Sequence, residues 1–283
     1  MPSGHTCARG ACAAEPSDVG DFDPKSYWEE RLEGTYSLGG VGWLGLGEPF
    51  NRWMYRVRRR VFARTVRNAA SELRDARVLD VGVGTGFYVE RWHELGVRDV
   101  SGIDLTDVAV AELSGRYPHD RFVQADITDG TGDLPPGEFD AISIMDVLFH
   151  VVDDDRYARA IANLHSLLRP GGVLILTENL LHGDWHRGEH QVSRDAGWIL
   201  GLLDKTGFEV LTRRPLFVLM NTPVDSRSRL LKGWWWLLMN VMARARWIGG
   251  AVGAAVYPAE TALTAILREG PTTEIVAARK RLA

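Results

Sequence analysis

The fold is decided by the stretch Val78-Leu-Asp-Val-Gly-Val-Gly-Thr-Gly86, in which an apolar run leads directly into a glycine-rich loop. The apolar run, which includes Asp80, predicts a β-strand, and glycines follow at 82, 84 and 86. Glycine adopts backbone dihedrals that other residues rarely reach, and it leaves no Cβ between the main chain and a ligand. The stretch therefore predicts a nucleotide-binding turn after the first strand of an α/β sheet.

The spacing of the glycines indicates which kind of nucleotide is favoured. A dinucleotide fingerprint has the form Gly-x-Gly-x-x-Gly, and the helix amides that follow it face a pyrophosphate. Phe87 occupies the position of the third glycine in that pattern. A nicotinamide-dependent oxidoreductase is therefore the least favoured enzyme class.

Acidic residues come at the ends of the next two predicted strands. The second strand, over 100–104, ends in Asp104, and the third, over 121–127, contains Asp126. A carboxylate at the end of the second strand can accept hydrogen bonds from both ribose hydroxyls of a nucleotide. Each of these residues, like Asp80, could be an ordinary strand-end residue, but three at these offsets favour a nucleotide site.

The rest of the chain continues to alternate between predicted strands and helices. Further strands are predicted over 139–145, 173–178, 207–216 and 274–279, with a helix over 156–168. The segment Arg169-Pro-Gly-Gly172 follows this helix, as expected where a helix ends.

This order of elements over residues 78–180 resembles the class I S-adenosylmethionine (SAM) dependent methyltransferases that act on small molecules. The resemblance implies a Rossmann-like α/β fold with a seven-stranded, mostly parallel sheet, helices on both faces, and an antiparallel hairpin of the last two strands. It implies that Asp104 binds the ribose of SAM, that Asp126 binds the adenine amino group, and that Ile127 flanks the adenine. The expected cofactor-binding residues are Asp80, Gly82, Gly84, Gly86, Asp104, Leu105, Asp126, Ile127, Met145 and Tyr27.

Additions to this core divide the chain into five predicted segments. They are a disordered tail over 1–22, an N-terminal helical lid over 23–70, the SAM-binding core over 71–218, a helical cap inserted over 219–270, and the last core strand with the C-terminus over 271–283. The chain has two cysteines, Cys7 and Cys12, which rules out a disulfide framework. Without an apolar stretch typical of a signal peptide, we expect a cytoplasmic protein.

The predicted lid carries aromatic residues that could reach a bound ligand. A helix beginning near Tyr27 would cover the cofactor, as such lids often do in small-molecule methyltransferases. Tyr27 is assigned to the cofactor and Tyr36 to the acceptor. Packing of Tyr27 and Trp28 against the core is an equally good interpretation.

The loop over 181–194 is rich in histidine and arginine, and it follows a strand whose carboxyl end should face the ligand. The candidate acceptor-binding residues in this loop are His182, His186, Arg187, His190 and Arg194. Recognition of a phosphate or of sugar hydroxyls is favoured over binding of a divalent ion by His182, Asp184 and His186. A merely solvated loop is the third interpretation.

The predicted cap is rich in tryptophan, with three in succession over 234–236 and another at Trp247. Pro258 and Glu260 interrupt the apolar run that follows, so a membrane-spanning helix is not expected. We expect the cap, through Trp234, to wall an apolar acceptor pocket. Peripheral membrane contact is the alternative, and a lipid-like or phosphorylated small molecule would suit both.

Charge argues against nucleic acid as a partner. The net charge is −4, whereas proteins that bind a nucleic-acid backbone usually have a basic excess. The arginines between Arg52 and Arg67 would spread around a helix, which indicates a solvated surface.

Methyl transfer is an in-line displacement, so positioning of the acceptor does most of the work. A small, partly apolar acceptor that reacts at a hydroxyl oxygen needs a base, and His150 is the candidate. The alternative is carbon methylation of a prenyl diphosphate, with Glu178 as the base and Mg²⁺ held with the His/Arg loop. A non-catalytic SAM-binding partner protein is the alternative from another class.

Overall fold

The computed structural model describes residues 23–34, 36–37, 44–70, 73–188, 190–271 and 273–282. The predicted tail over 1–22, with both cysteines, lies outside these ranges.

A nine-stranded sheet lies at the centre of the molecule. Its strands are β1 (Arg77–Val81), β2 (Asp99–Asp104), β3 (Arg121–Gln124), β4 (Phe139–Ile144), β5 (Leu168–Leu181), β6 (His186–Arg187), β7 (Val192–Asp195), β8 (Phe208–Pro215) and β9 (Thr273–Lys280). Seven of them follow the order β3-β2-β1-β4-β5-β9-β8, and β9 is antiparallel to both of its neighbours. The predicted Rossmann-like α/β fold is therefore confirmed.

The other two strands come from the His/Arg loop. β7 pairs in parallel with the end of β5 at Leu180 and Leu181, and β6 pairs antiparallel with β7. This ribbon extends the sheet beyond the predicted seven strands.

Helices cover both faces of the sheet. They are α1 (Pro24–Gly34), α2 (Gly47–Ala69), α3 (Phe87–Glu94), α4 (Asp107–Arg116), α5 (Asp154–Leu167), α6 (Ala196–Thr206), α7 (Arg229–Arg244) and α8 (Gly249–Ile266). Successive strand residues face opposite sides, so Val78 packs with α2, α3 and α4, whereas Leu79 packs with α5 and α6. Short 3-10 helices cover Leu44–Leu46, Leu148–His150 and Arg246–Ile248.

The start of β5 differs from the prediction. Helix α5 ends at Leu167 and β5 begins at Leu168, so the Arg169-Pro-Gly-Gly172 segment belongs to the strand. The pairing register with β4 shifts between Phe139 and Ala141, and Gly171 has a φ of 79°. The strand therefore includes the proline and glycines, and the shift in pairing register with β4 makes room for them.

The insertion between β8 and β9 consists of α7 and α8, and α8 packs along α2. Glu260 of α8 is buried and accepts hydrogen bonds from the amides of Val218 (2.8 Å) and Leu219 (2.7 Å). These bonds fasten the insertion to the segment after β8. Among the described residues, no helix is long and apolar enough to cross a membrane.

Candidate active site

The glycine loop after β1 requires glycine for two physical reasons. Gly82 and Gly86 have φ values of 73° and 81°, in the left-handed region. A Cβ on Gly82 would lie 2.3 Å from Cγ2 of Val147, and one on Gly86 would lie 2.5 Å from Cδ2 of Leu113. The loop therefore approaches the neighbouring segments too closely for any side chain.

A cavity of about 640 Å³ opens beside this loop. It lies at the carboxyl ends of the parallel strands, where ligands bind in open α/β sheets. The predicted cofactor residues that line it are Gly82, Gly84, Asp104, Leu105, Asp126, Ile127 and Met145. The cavity fits SAM because its floor is a glycine cradle that side chains would fill, and because carboxylates stand at two of its strand ends.

Asp80 does not line the cavity, contrary to the prediction, and neither does Gly86. Asp80 is buried beneath the loop, where Ser143 Oγ donates to its Oδ1 at 2.5 Å. Trp92 Nε1 donates in turn to Ser143 at 2.8 Å. Burial raises the pKa of Asp80 to about 8. Its position suits support of the loop from below, not direct ligand contact.

Asp104 is held in one orientation by its neighbours. Its Oδ2 accepts from the Gly84 amide at 2.8 Å, and its Oδ1 accepts from the amide and hydroxyl of Thr106 at 2.9 and 2.7 Å. Burial raises the pKa of this carboxyl. A carboxylate fixed in this way at the end of β2 retains lone pairs for the hydroxyls of a ribose.

Asp126 also has fixed partners, which the sequence analysis did not predict. Thr128 donates to Oδ1 through both its amide and its hydroxyl, each at 2.7 Å. Arg156 of α5 donates to Oδ2 at 2.7 Å and itself lines the cavity. An adenine amino group at Asp126 would therefore share the carboxylate with Arg156.

Helix α1, in the segment predicted to be a lid, is fastened to the start of α4. Glu29 accepts hydrogen bonds from the amides of Asp107 (3.2 Å) and Val108 (3.1 Å). These amides lie at the N-terminus of α4, where a helix offers them no partner of its own. Trp28, on the same helix, lines the cavity.

The two tyrosines of the lid do not have the predicted positions. Tyr27 is absent from the cavity wall, and its ring packs against Trp28 and His190. Tyr36 donates to the carbonyl of Gly84 at 2.9 Å, which places it at the glycine loop and not with an acceptor. Burial raises the pKa of Tyr36 to about 12, so it stays a donor at neutral pH.

His150 lines the cavity close to α1. Its Nδ1 lies 2.8 Å from the carbonyl oxygen of His190. Because a carbonyl only accepts, Nδ1 must carry the proton, and Nε2 is the unprotonated nitrogen of the neutral ring. Burial lowers the pKa of His150, which keeps the ring neutral at pH 7. Trp28 packs edge-on against it, with ring centroids 5.1 Å apart.

A partly buried ion pair lies at another part of the cavity wall. Arg58 of α2 pairs with Asp146, which lines the cavity just after β4. Asp146 has a φ of 61°, and Tyr55 and Tyr88 line the cavity beside the pair. The prediction that the arginines of this helix form a solvated surface is wrong for Arg58, because its side chain is only 15% exposed.

No described residue of the His/Arg loop over 181–194 lines the cavity. His190 acts on the cavity wall only indirectly, because its carbonyl oxygen contacts Nδ1 of His150. His182 pairs with Asp225 at the surface, and His186 is exposed on β6. Among the residues that the structure describes, no three His, Cys, Asp or Glu side chains converge as a metal site.

The two arginines of this loop hold the cavity wall and are not free to bind an acceptor. Arg194 is fully buried and donates to Asp154 (3.0 Å) and to the carbonyl of Val151 (2.7 Å). Arg187 donates to the carbonyl of Val152 at 3.1 Å and also pairs with Asp154. Both therefore fix the segment over 151–154, part of which lines the cavity.

Glu178 and Trp234 lie away from the cavity. Glu178 is fully buried in the middle of the fold, where burial raises its pKa to about 8 and Arg194 opposes the rise. Trp234 packs on the core and donates to the carbonyl of Leu219 at 2.9 Å. No described residue of the predicted cap lines the cavity, because the insertion packs on α2.

A family model for a methyltransferase domain matches residues 78–172. This range starts at the quoted stretch and contains the glycine loop, Asp104 and Asp126. Residues 78–172 therefore match a methyltransferase domain. The predicted resemblance is confirmed for this methyltransferase domain.

Two ubiquinone biosynthesis O-methyltransferases align with part of the chain. The protein of Xanthomonas euvesicatoria pv. vesicatoria is 42% identical over 112 residues, which are 38% of this chain and 44% of that protein. The protein of Xanthomonas campestris pv. campestris (strain B100) is 43% identical over 108 residues, which are 36% of this chain and 42% of that protein. The chain thus spans less than half of the length of the curated relatives it matches.

Solved structures show the same fold over most of the chain. The 1,6-didemethyltoxoflavin-N1-methyltransferase of Burkholderia thailandensis, solved with 1,6-didemethyltoxoflavin and S-adenosylhomocysteine, has a TM-score of 0.52 at 18% identity and covers 93% of this chain and 92% of its own. The cyclase SpnF has a TM-score of 0.52 at 23% identity and covers 78% and 80%. At these identities the likeness shows the fold alone, and the methyltransferase domain is identified by its sequence match.

Proposed function

We propose that this protein transfers the methyl group of SAM to a hydroxyl oxygen of a small, partly apolar acceptor. The observation that carries the proposal is the hydrogen bond from Nδ1 of His150 to the carbonyl of His190, because it leaves Nε2 as a base at the cavity. The names of the Xanthomonas relatives, which are O-methyltransferases, support transfer to oxygen.

The cofactor supplies a methyl group activated by the sulfonium. Asp104 and Asp126 would hold its ribose and adenine, and the glycine loop would lie against it. The aromatic side chains of Trp28, Tyr55 and Tyr88 line the same cavity and suit a flat, partly apolar acceptor.

In the proposed reaction, the acceptor oxygen forms a bond to the methyl carbon while the carbon–sulfur bond breaks. The hydroxyl proton passes to Nε2 of His150, and the products are a methyl ether and S-adenosylhomocysteine. Burial keeps the ring neutral before the reaction, so the lone pair of Nε2 is available to accept this proton as the oxygen–carbon bond forms.

The test compares His150→Gln with His93→Gln. His93 has the same contact from Nδ1 to a carbonyl, that of Val97 at 3.1 Å, but it lies outside the cavity wall. With methyl-labelled SAM and a panel of phenols and aliphatic alcohols, we expect H150Q to lower kcat by about 10²- to 10⁴-fold. SAM affinity, measured by calorimetry, should stay unchanged, and H93Q should keep wild-type turnover.

Three outcomes would count against the proposal. Full turnover by H150Q would remove His150 as the base. Label incorporated at carbon would favour the C-methylation alternative. SAM binding by the wild type without transfer to any compound of the panel or of a cell extract would favour a SAM-binding partner protein.

A further inference from the structure

The insertion between β8 and β9 exposes large apolar side chains that the cavity does not use. Leu230, Trp236 and Trp247 are 86%, 67% and 83% exposed, and Leu237 is 49% exposed. Single apolar residues at a surface are normal, but these four stand on one helix and the turn that follows it. We define the cap surface as these four residues together with Arg229, Lys232, Arg244 and Arg246.

The exposed side chains of the cap surface do not pack in the hydrophobic core. Helix α7 packs inward through Leu238 and Met242, both of which are buried. Trp236 and Leu237 therefore remain outside as apolar area beyond what packing requires. On α8, the side chain of the one charged residue, Glu260, is buried, so the exposed face of that helix carries no charge.

The charge of this region is opposite to that of the whole chain. Residues 226–259 contain five basic residues and no Asp or Glu, whereas the chain as a whole has a net charge of −4. None of the five forms an ion pair with a carboxylate in the part of the chain that the structure describes. Unpaired basic groups beside exposed tryptophans are typical of helices that lie in a lipid–water interface.

We propose that the cap surface binds the face of a bilayer that contains anionic lipids. Trp236 and Trp247 would enter the interface, where an indole ring has one apolar and one hydrogen-bonding edge. The basic side chains would contact lipid phosphates. This proposal is independent of the proposed function, since no residue of the cap surface lines the cavity.

Charge favours a bilayer over a second copy of the chain as the occupant. In a symmetric dimer the same patch meets itself, so the four basic residues of the cap surface in one copy would face those of the other. With no acidic residue between 226 and 259 to balance them, such a contact would place like charges together.

The test uses the full chain and co-sedimentation with vesicles of phosphatidylcholine alone or mixed equally with phosphatidylglycerol. We expect binding to the mixed vesicles, weakened by salt, and little binding to phosphatidylcholine. The double variant R244Q/R246Q should lower partition onto mixed vesicles by roughly 30-fold. W236Q/W247Q should lower it by more than about tenfold.

Matched controls are Leu282→Gln, which removes an exposed apolar side chain elsewhere, and Arg98→Gln, which removes an exposed arginine elsewhere. Both should bind vesicles like the wild type, and thermal unfolding should show that every variant is folded. Failure to bind mixed vesicles, or equal binding by the cap-surface variants, would overturn the proposal. A concentration-dependent dimer that W236Q/W247Q abolishes, without vesicle binding, would assign the surface to self-association instead.

Discussion

Arg58 and Asp146 form an ion pair that joins helix α2 to the segment after β4, with side chains 15% and 29% exposed. The amide of Asp146 donates to Thr177 Oγ1 at 2.7 Å, and the residue has a left-handed φ of 61° that residues other than glycine rarely adopt. The pair thus connects the N-terminal addition to the methyltransferase domain at the cavity itself.

Replacing Arg58 by Gln should lower the free energy of unfolding by about 1–3 kcal/mol, because the partly buried carboxylate of Asp146 would lose its cationic partner and keep only the hydroxyl of Thr177 at 3.2 Å. Urea denaturation measures the loss. The control is Arg59→Gln, which breaks a more exposed pair with Glu94 and should cost less than about 1 kcal/mol. In the double variant R58Q/D146N, part of the stability should return. If R58Q and R59Q lost the same unfolding free energy, the Arg58–Asp146 pair would contribute no more than an exposed ion pair.

Gly82→Ala should destabilise the protein more than Gly96→Ala, although both glycines have positive φ. At Gly96 no atom lies within 4 Å of the added Cβ, so only the left-handed strain of about 1–2 kcal/mol applies. At Gly82 the Cβ would also collide with Val147, which adds about 1–3 kcal/mol. Calorimetry should show loss of SAM affinity in G82A and wild-type affinity in G96A. Similar affinities in both variants would contradict the role assigned to the loop.

The sequence predicted the parts of the site that are encoded locally. The glycine spacing and the strand-end carboxylates Asp104 and Asp126 are read from short stretches, because strand alternation and the glycine turn restrict where each side chain goes. These residues line the cavity.

The sequence could not place residues whose partners are distant. Arg58 and Asp146 are 88 positions apart, and the hydrogen bond from Tyr36 to Gly84 spans 48. Helix periodicity shows that an arginine lies on a face of α2, but it does not show what that face packs against. Arg194 was misassigned for the same reason, because Asp154 and the carbonyl of Val151 satisfy it inside the fold.

The proposed role of His150 predicts a pH dependence of turnover. Burial lowers its pKa below the ordinary value of 6.5, because the charged ring is poorly solvated. The neutral, base-competent form therefore predominates above that lowered pKa, so kcat/KM should fall only on the acid side, with a midpoint below 6.5, and stay level at higher pH. Initial rates from about pH 5 to about pH 8 measure this. A midpoint above 6.5, or the same acid limb in H150Q, would contradict the assignment.

Glu178 should affect stability and not catalysis. Its pKa is about 8 in the folded protein, against an ordinary 4.5, so between these values the native state binds more protons than the unfolded chain. Stability must therefore fall as pH rises through this window.

The Glu178→Gln variant cannot ionise at this position, so its unfolding free energy relative to the wild type should increase across the same pH window. Its turnover should be retained, because the side chain lies outside the cavity wall. Denaturation at several pH values measures the difference, with the exposed Glu209→Gln as the control. Loss of turnover in E178Q with SAM affinity intact would instead favour carbon methylation with Glu178 as the base.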